Sequence, residues 1–234
     1  MKRRLETSRE RDATEVITAV YAALYGRFGP QGWWPVTAAG ETEAAYSGGP
    51  TDEGQRFEVA AGAVLTQNTA WANASKAVGN LLRAGALDPE SILSMEAAGL
   101  AELIRPSGYY NRKAVILKRL AALFRPRAEI TRESLLSISG IGPETADSIM
   151  LYAFGKPFFV VDAYTMRVFA RIGLIEPAEG YEAVRAFFEE CLPADSGIFQ
   201  EYHALIVKLA KDFCRRKPVC GGCPLLSLCE RKRA

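Results

Sequence analysis

The chain lacks any apolar run of about 18 residues, the least that a membrane-spanning helix requires. Its charged opening, MKRRLETSRERDATE, has no apolar segment of the kind that directs secretion. Internal repeats and low-complexity tracts are missing, which removes solenoid and tail-like architectures. Alternation of apolar and polar residues is nearly absent: only Phe158 to Val161 looks strand-like, and it is too short to found a sheet. Net charge is small, +2 over 234 residues, too little by itself to announce a nucleic-acid-binding protein. Cysteine is sparse at five, and His203 is the one histidine. With no secretory signal and Cys191 left over from the other four, the expected setting is intracellular, where thiols stay reduced.

Helical periodicity fills the space that strands leave. Val16, Ile17, Val20, Tyr21 and Leu24 recur at helical spacing within Glu15 to Phe28, before a Gly/Pro-rich passage from Gly29 to Gly54. Helices are predicted over Phe57 to Thr69, Asn73 to Arg83, Pro89 to Ile104, Asn111 to Phe124 and Arg132 to Ser137. Further helices follow at Pro143 to Phe154, Ala163 to Ile172, Tyr181 to Cys191 and Phe199 to Phe213. The fold class is therefore all-α. Two helical lobes are expected, residues 46–156 and residues 1–45 with 157–234.

Charge is local. Arg105 to Glu133 holds eight Lys/Arg against two Glu, and Lys211 to Ala234 holds seven against two acids. Such patches can neutralise phosphates, or can be no more than solvated helix faces.

The densest chemistry closes the chain: Cys214, Cys220, Cys223 and Cys229, spaced C-x5-C-x2-C-x5-C. Thiolates so placed can converge within one loop on Zn²⁺ or on an iron–sulfur cluster, and spacing alone does not choose between them. Upstream, Ser139-Gly140-Ile141-Gly142-Pro143 joins two apolar helical segments. Glycines leave backbone N–H groups open, and Pro143 suits a first helical turn, where its missing N–H costs nothing. The turn can cradle a phosphate at a helix N-terminus or simply connect two helices. Asp162 follows an apolar run and precedes a helix, fitting an N-cap, a working carboxylate in a cleft, or both. His203 reads as a packing or surface residue, and Cys191 as a small buried hydrophobe.

Glycine hairpin, acid and cysteine loop occur in this order over roughly Phe57 to Cys229. In this they resemble the endonuclease III, or helix-hairpin-helix DNA glycosylase, superfamily. That resemblance implies a 4Fe–4S cluster rather than zinc on Cys214, Cys220, Cys223 and Cys229. Five residues, not the family's usual six, separate the first two of these cysteines. It implies a DNA-binding hairpin over Leu136 to Ala146, with Gly140, Ile141, Gly142 and Thr145 at the backbone, and Asp162 as the essential aspartate. At the position where bifunctional members carry an imine-forming lysine this chain has Glu144, so a monofunctional enzyme without lyase activity is expected.

Three further stretches are similar to the 3-methyladenine branch. They are Trp33-Trp34-Pro35, Phe57 with Gly62 to Thr69, and Arg105 to Ala114. The likeness implies a base pocket walled by Trp33, Trp34, Pro35 and Phe57, and Gln67 as the wedge that fills the space of an extruded nucleotide. Taken alone, tryptophans in a Gly/Pro passage pin a loop to a core. The expected function is excision of alkylated purines from double-stranded DNA, 3-methyladenine and then 7-methylguanine, by a monomer in the cytoplasm or nucleoid. DNA would cross the cleft between the lobes. The rivals are a glycosylase/lyase for oxidised pyrimidines and a non-catalytic iron–sulfur DNA-binding module.

Overall fold

The structure is a computed structural model that describes residues 2–41, 43–124 and 129–230. Eleven α-helices and one two-stranded ribbon occur among the described residues. The protein is all-α apart from that ribbon, as the periodicity predicts. No helix of the described residues is long and apolar enough to cross a membrane. The basic residues Arg125, Arg127, Arg231, Lys232 and Arg233 lie outside the described residues.

The chain divides into two units, residues 1–31 with 157–234 and residues 32–156. The division corrects the expected one at one end. Residues 32–45, grouped from sequence with the terminal segments, pack in the second unit, because Trp34 lies against Gly62 and Thr37 is bonded to Glu58.

In the unit of residues 32–156, β1 (Val36–Thr37) pairs antiparallel with β2 (Ala44–Ala45). This ribbon lies inside the Gly/Pro passage, whereas Phe158 to Val161 is not assigned as strand among the described residues; the Phe159 N–H is taken at 2.9 Å by the Glu189 carboxylate. The centre of the unit is α2 (Glu53–Thr66), buried continuously from Phe57 to Leu65 and started by the Asp52 cap on the Gln55 N–H. Around it lie α3 (Trp71–Arg83), α6 (Tyr110–Leu123) and α8 (Pro143–Phe154).

The helix predicted over Pro89 to Ile104 is two, α4 (Pro89–Ser94) and α5 (Ala97–Leu103). Met95 and Glu96 are extended between them, with ψ of 141° and 140°. Next, α7 (Arg132–Leu136) begins with a Thr131–Ser134 capping box and is tied to α8 by the buried Arg132–Asp147 ion pair, at 2.5 Å.

The other unit contains α1 (Lys2–Phe28), α9 (Ala163–Ile172), α10 (Tyr181–Cys191), α11 (Ser196–Asp212) and the cysteine loop. Its core is aromatic. Phe159 stacks on Phe188 at 4.2 Å, with Phe169, Phe199 and Tyr202 meeting them edge-on. The Tyr202 hydroxyl donates to the Ile17 carbonyl at 2.8 Å, fastening α11 to α1.

Candidate active site

The hairpin forms because two helices end and begin around one residue that only glycine can supply. Gly140 has φ +107°, and a Cβ there would stand 2.5 Å from Ile116 Cδ1. Gly142 is different: it is extended at φ −95° and caps α8, with open space where a Cβ would go. Ile141 and Thr145 are 5% and 8% exposed, so their side chains face inward and only their backbone could meet a ligand. Ser139, Gly142, Pro143 and Glu144 form the exposed rim. The first-turn amides of α8 lack intrahelical acceptors, as at any helix start.

Gln67 caps the end of α2, and its Nε2 donates to the Gly140 carbonyl at 3.0 Å and to Thr145 Oγ1 at 2.9 Å. The expected wedge is thus held against the hairpin. Nothing in the sequence announced that contact, because its partners are 73 and 78 residues away.

Asp162 caps α9 with one oxygen and turns the other toward His203. Oδ1 accepts from the Thr165 N–H at 2.7 Å and from Thr165 Oγ1 at 3.0 Å, and Oδ2 lies 3.5 Å from His203 Nε2. The two side chains are 13% and 12% exposed. Burial works to raise this carboxyl, but the hydrogen bond and charge of His203, with both Thr165 bonds, hold it below the ordinary 3.8. The result is a buried carboxylate kept ionised. His203 is therefore not a bystander on a packing face; it looks directly at the acid.

Trp33, Trp34, Trp71 and Tyr46 form one aromatic group, with ring centroids 4.9–5.6 Å apart, and Trp34 also meets Tyr152 at 5.3 Å. The Trp33–Trp34 peptide is cis. Trp34 and Pro35 line a cavity of about 350 Å³ together with Tyr46, Glu58 and Trp71. Phe57 does not join them. It is fully buried and packs edge-on against Phe124, 5.1 Å away.

The four loop cysteines are free thiols, and their electrostatics link them. Burial pushes the Cys223 thiol up, and Cys214, Cys220 and Cys229 push it the same way against a Leu225 backbone bond. Arg171 of α9 donates to Cys214 Sγ at 3.1 Å and to the Arg215 carbonyl at 2.7 Å, and the Cys229 thiol donates to the Arg171 carbonyl at 3.2 Å. Among the described residues no three His, Cys, Asp or Glu side chains are arranged to hold a metal ion. Four-coordinate zinc at about 2.3 Å per sulfur would need the thiolates nearly in contact, whereas an iron–sulfur cube holds them farther apart.

Residues 61–194 match the HhH-GPD superfamily base excision DNA repair protein family, a span that contains Gln67, the hairpin and Asp162. The chain belongs to that superfamily. A Methanocaldococcus jannaschii protein assigned as a DNA repair glycosylase, MJ1434, is 41% identical over 231 residues, covering 93% of this chain and 97% of its own. The H. pylori 3-methyladenine DNA glycosylase MagIII, in its complex with 1,N6-ethenoadenine, superposes with a TM-score of 0.66 at 29% identity. That match covers 85% of this chain and 97% of MagIII. A non-covalent endonuclease III–DNA complex gives 0.68 at 25% identity, over 76% and 84% of the two chains. This HhH-GPD protein is a DNA repair glycosylase.

Besides the His203–Asp162 contact, the structure brings out one site feature that the sequence reading left unassigned. Lys113, within the Arg105 to Ala114 stretch, is 2% exposed. Its Nζ donates to the Leu65 and Ser107 carbonyls at 2.8 Å each, and burial pushes it down to about 8. Both of its partners are backbone carbonyls, which no residue pattern reveals.

Proposed function

We propose that this HhH-GPD glycosylase is monofunctional and releases alkylated purines, 3-methyladenine first and 7-methylguanine second, from double-stranded DNA. The observation that carries the proposal is Asp162: a buried carboxylate, ionised by its surroundings, with one oxygen committed to its helix and the other not. Breaking an N-glycosidic bond places positive charge on the sugar, and a fixed negative charge stabilises that state and orients the attacking water. Purines methylated at N3 or N7 are cationic and leave as neutral bases, so one carboxylate suffices.

The rings of Trp33, Trp34 and Trp71 favour such a cation by about 0.5–2 kcal/mol over a neutral base. A target base must first leave the stack, which costs a few kcal/mol and less where pairing is already weak. In this reading the amides around Gly140 and Gly142 grip the phosphodiester without reading sequence, and Gln67 leaves the hairpin to fill the vacancy. Glu144, exposed in the first turn of α8, cannot form an imine with the sugar, and Lys113 is buried on two carbonyls. Both support strand scission being absent.

Cys214, Cys220, Cys223 and Cys229 are proposed to hold a 4Fe–4S cluster, which supplies a rigid anchor for the loop when bound. Arg171 offers its guanidinium to the Cys214 sulfur, a charged donor that would stabilise a thiolate there.

The test is base release, resolved by chromatography, from duplexes carrying 3-methyladenine, 7-methylguanine, uracil or thymine glycol. The methylated purines are expected as products, with no covalent adduct on borohydride treatment. Release of thymine glycol with a strong borohydride adduct would replace this proposal by the oxidised-pyrimidine lyase. Binding without any release would leave a DNA-binding module. Broad visible absorption that is lost with iron is the expected signature of the loop cysteines at work.

A further inference from the structure

We propose that His203 is a positioning residue for Asp162, donating from Nε2 to Oδ2 so that the carboxylate keeps the orientation in which it faces the sugar. The inference rests on the catalytic reading of Asp162 and adds to it the group that holds it there. Oδ1 is fixed by two donors of Thr165, the N–H at 2.7 Å and the hydroxyl at 3.0 Å. Those bonds pin one oxygen and leave the carboxylate plane free to turn about it. The second oxygen has His203 Nε2 at 3.5 Å, facing it at the long end of hydrogen-bond reach. An ionised carboxylate only accepts, so this pairing places the imidazole proton on Nε2.

The imidazole stands on a rigid support. It projects from α11, whose neighbouring residue Tyr202 is fully buried, bonded to the Ile17 carbonyl and packed in the aromatic core. A positioning group is useful only if it is itself held, and this one is. The arrangement also answers a cost. A carboxylate at 13% exposure loses most of its hydration, and His203 heads the interactions that keep Asp162 charged against that loss.

Four variants test this with single-turnover release of 7-methylguanine and separate measurement of DNA affinity. His203→Met fills the space without a donor and is expected to slow release roughly 10–100-fold with DNA affinity unchanged. His203→Gln restores an N–H donor at similar reach and is expected to remain within about threefold of the parent. Adding His203→Met to Asp162→Asn is expected to cost nothing further, since the positioned charge is already gone. Equal rates for His203→Met and the parent would overturn the inference, as would a Gln variant as slow as the Met variant.

If His203→Met does not fold, the Gln variant and the parent still decide, because a Gln variant slowed tenfold or more overturns the proposal. An active Asp162→Asn would instead overturn the catalytic reading on which the inference stands. A readout independent of turnover is the imidazole C–H resonance. The chain has one histidine, so its signal needs no assignment, and it should move in Asp162→Asn.

Discussion

Two buried carboxylates in this protein each accept from a threonine N–H and hydroxyl, and behave in opposite ways. Glu58 of α2 accepts from the Thr37 N–H at 2.9 Å and from the Thr37 hydroxyl at 2.7 Å. Asp162 accepts the same pair of groups from Thr165. Yet burial raises the Glu58 carboxyl above its ordinary 4.5, despite both threonine bonds and with the charge of Asp52 adding to the rise. Asp162 is lowered. Glu58 divides the two donors between its oxygens, whereas Asp162 takes both on Oδ1, and a threonine pair by itself does not keep a buried acid ionised. Beyond that placement, Asp162 has His203 opposite its second oxygen and the N-terminus of α9 beneath it, where the helix dipole favours negative charge. Glu58 fastens the ribbon to α2. Asp162 holds a charge in place.

The sharpest way to separate the two is to neutralise each. Asp162→Asn should lower the rate of base release by about 10²–10³, the scale of losing one preorganised electrostatic group. Because asparagine caps helices as well as aspartate, α9 should keep its start, and stability should fall only by the modest contribution of the lowered carboxyl. Chromatographic release and urea unfolding on the same preparation check both halves, and a large loss of stability would mean that the charge was serving the fold.

Glu58→Gln should do the reverse. It sets an amide donor against a Thr37 donor and should cost about 1–3 kcal/mol of stability, while slowing release far less than Asp162→Asn. Lys113 extends the comparison to a buried cation whose partners are two carbonyls. Lys113→Met should destabilise by a similar ~1–3 kcal/mol near neutral pH. Folded Lys113 loses its proton near 8 and the unfolded side chain near 10.5, so the parent gains stability from this group as pH rises across that window. The variant should lack that gain.

The residues that start and stop the site's helices were legible, and the residues that hold the site in shape were not. Pro143 after Gly142, the cap at Asp162, and Gly155 and Gly173 at φ of 61° and 94° mark the ends of α8 and α9, so these two helices begin and end where predicted. Local chemistry decides such boundaries. The break at Met95–Glu96 carries no proline or glycine, and helix propensity reads straight through it. The β1–β2 ribbon is too short to show any alternation. Phe57 turns inward to Phe124 and Gln67 turns to the hairpin because of neighbours 67 to 78 residues away, which no local pattern encodes. His203 was legible only as a packing or surface residue on a helix. Its meaning comes from the acid that tertiary packing puts opposite it.

The smallest effect is also the most direct test of the contrast, because it reads the two carboxyl groups without any substrate. Asp162 is lowered in the folded protein, so it contributes stability above its unfolded value of 3.8 that disappears as pH falls through the folded one. The stability gap between the parent and Asp162→Asn should therefore shrink on acidification below 3.8. Glu58 is raised, so the folded state still holds the proton where the unfolded chain has released it. The parent then loses stability relative to Glu58→Gln as pH climbs above 4.5. One gap closes toward acid and the other toward neutrality, each by at most ~1.4 kcal/mol per pH unit. Urea unfolding of the three proteins between about pH 3 and 7 measures both slopes. Slopes of the same sign would mean that His203 and the α9 terminus do not set these two acids apart.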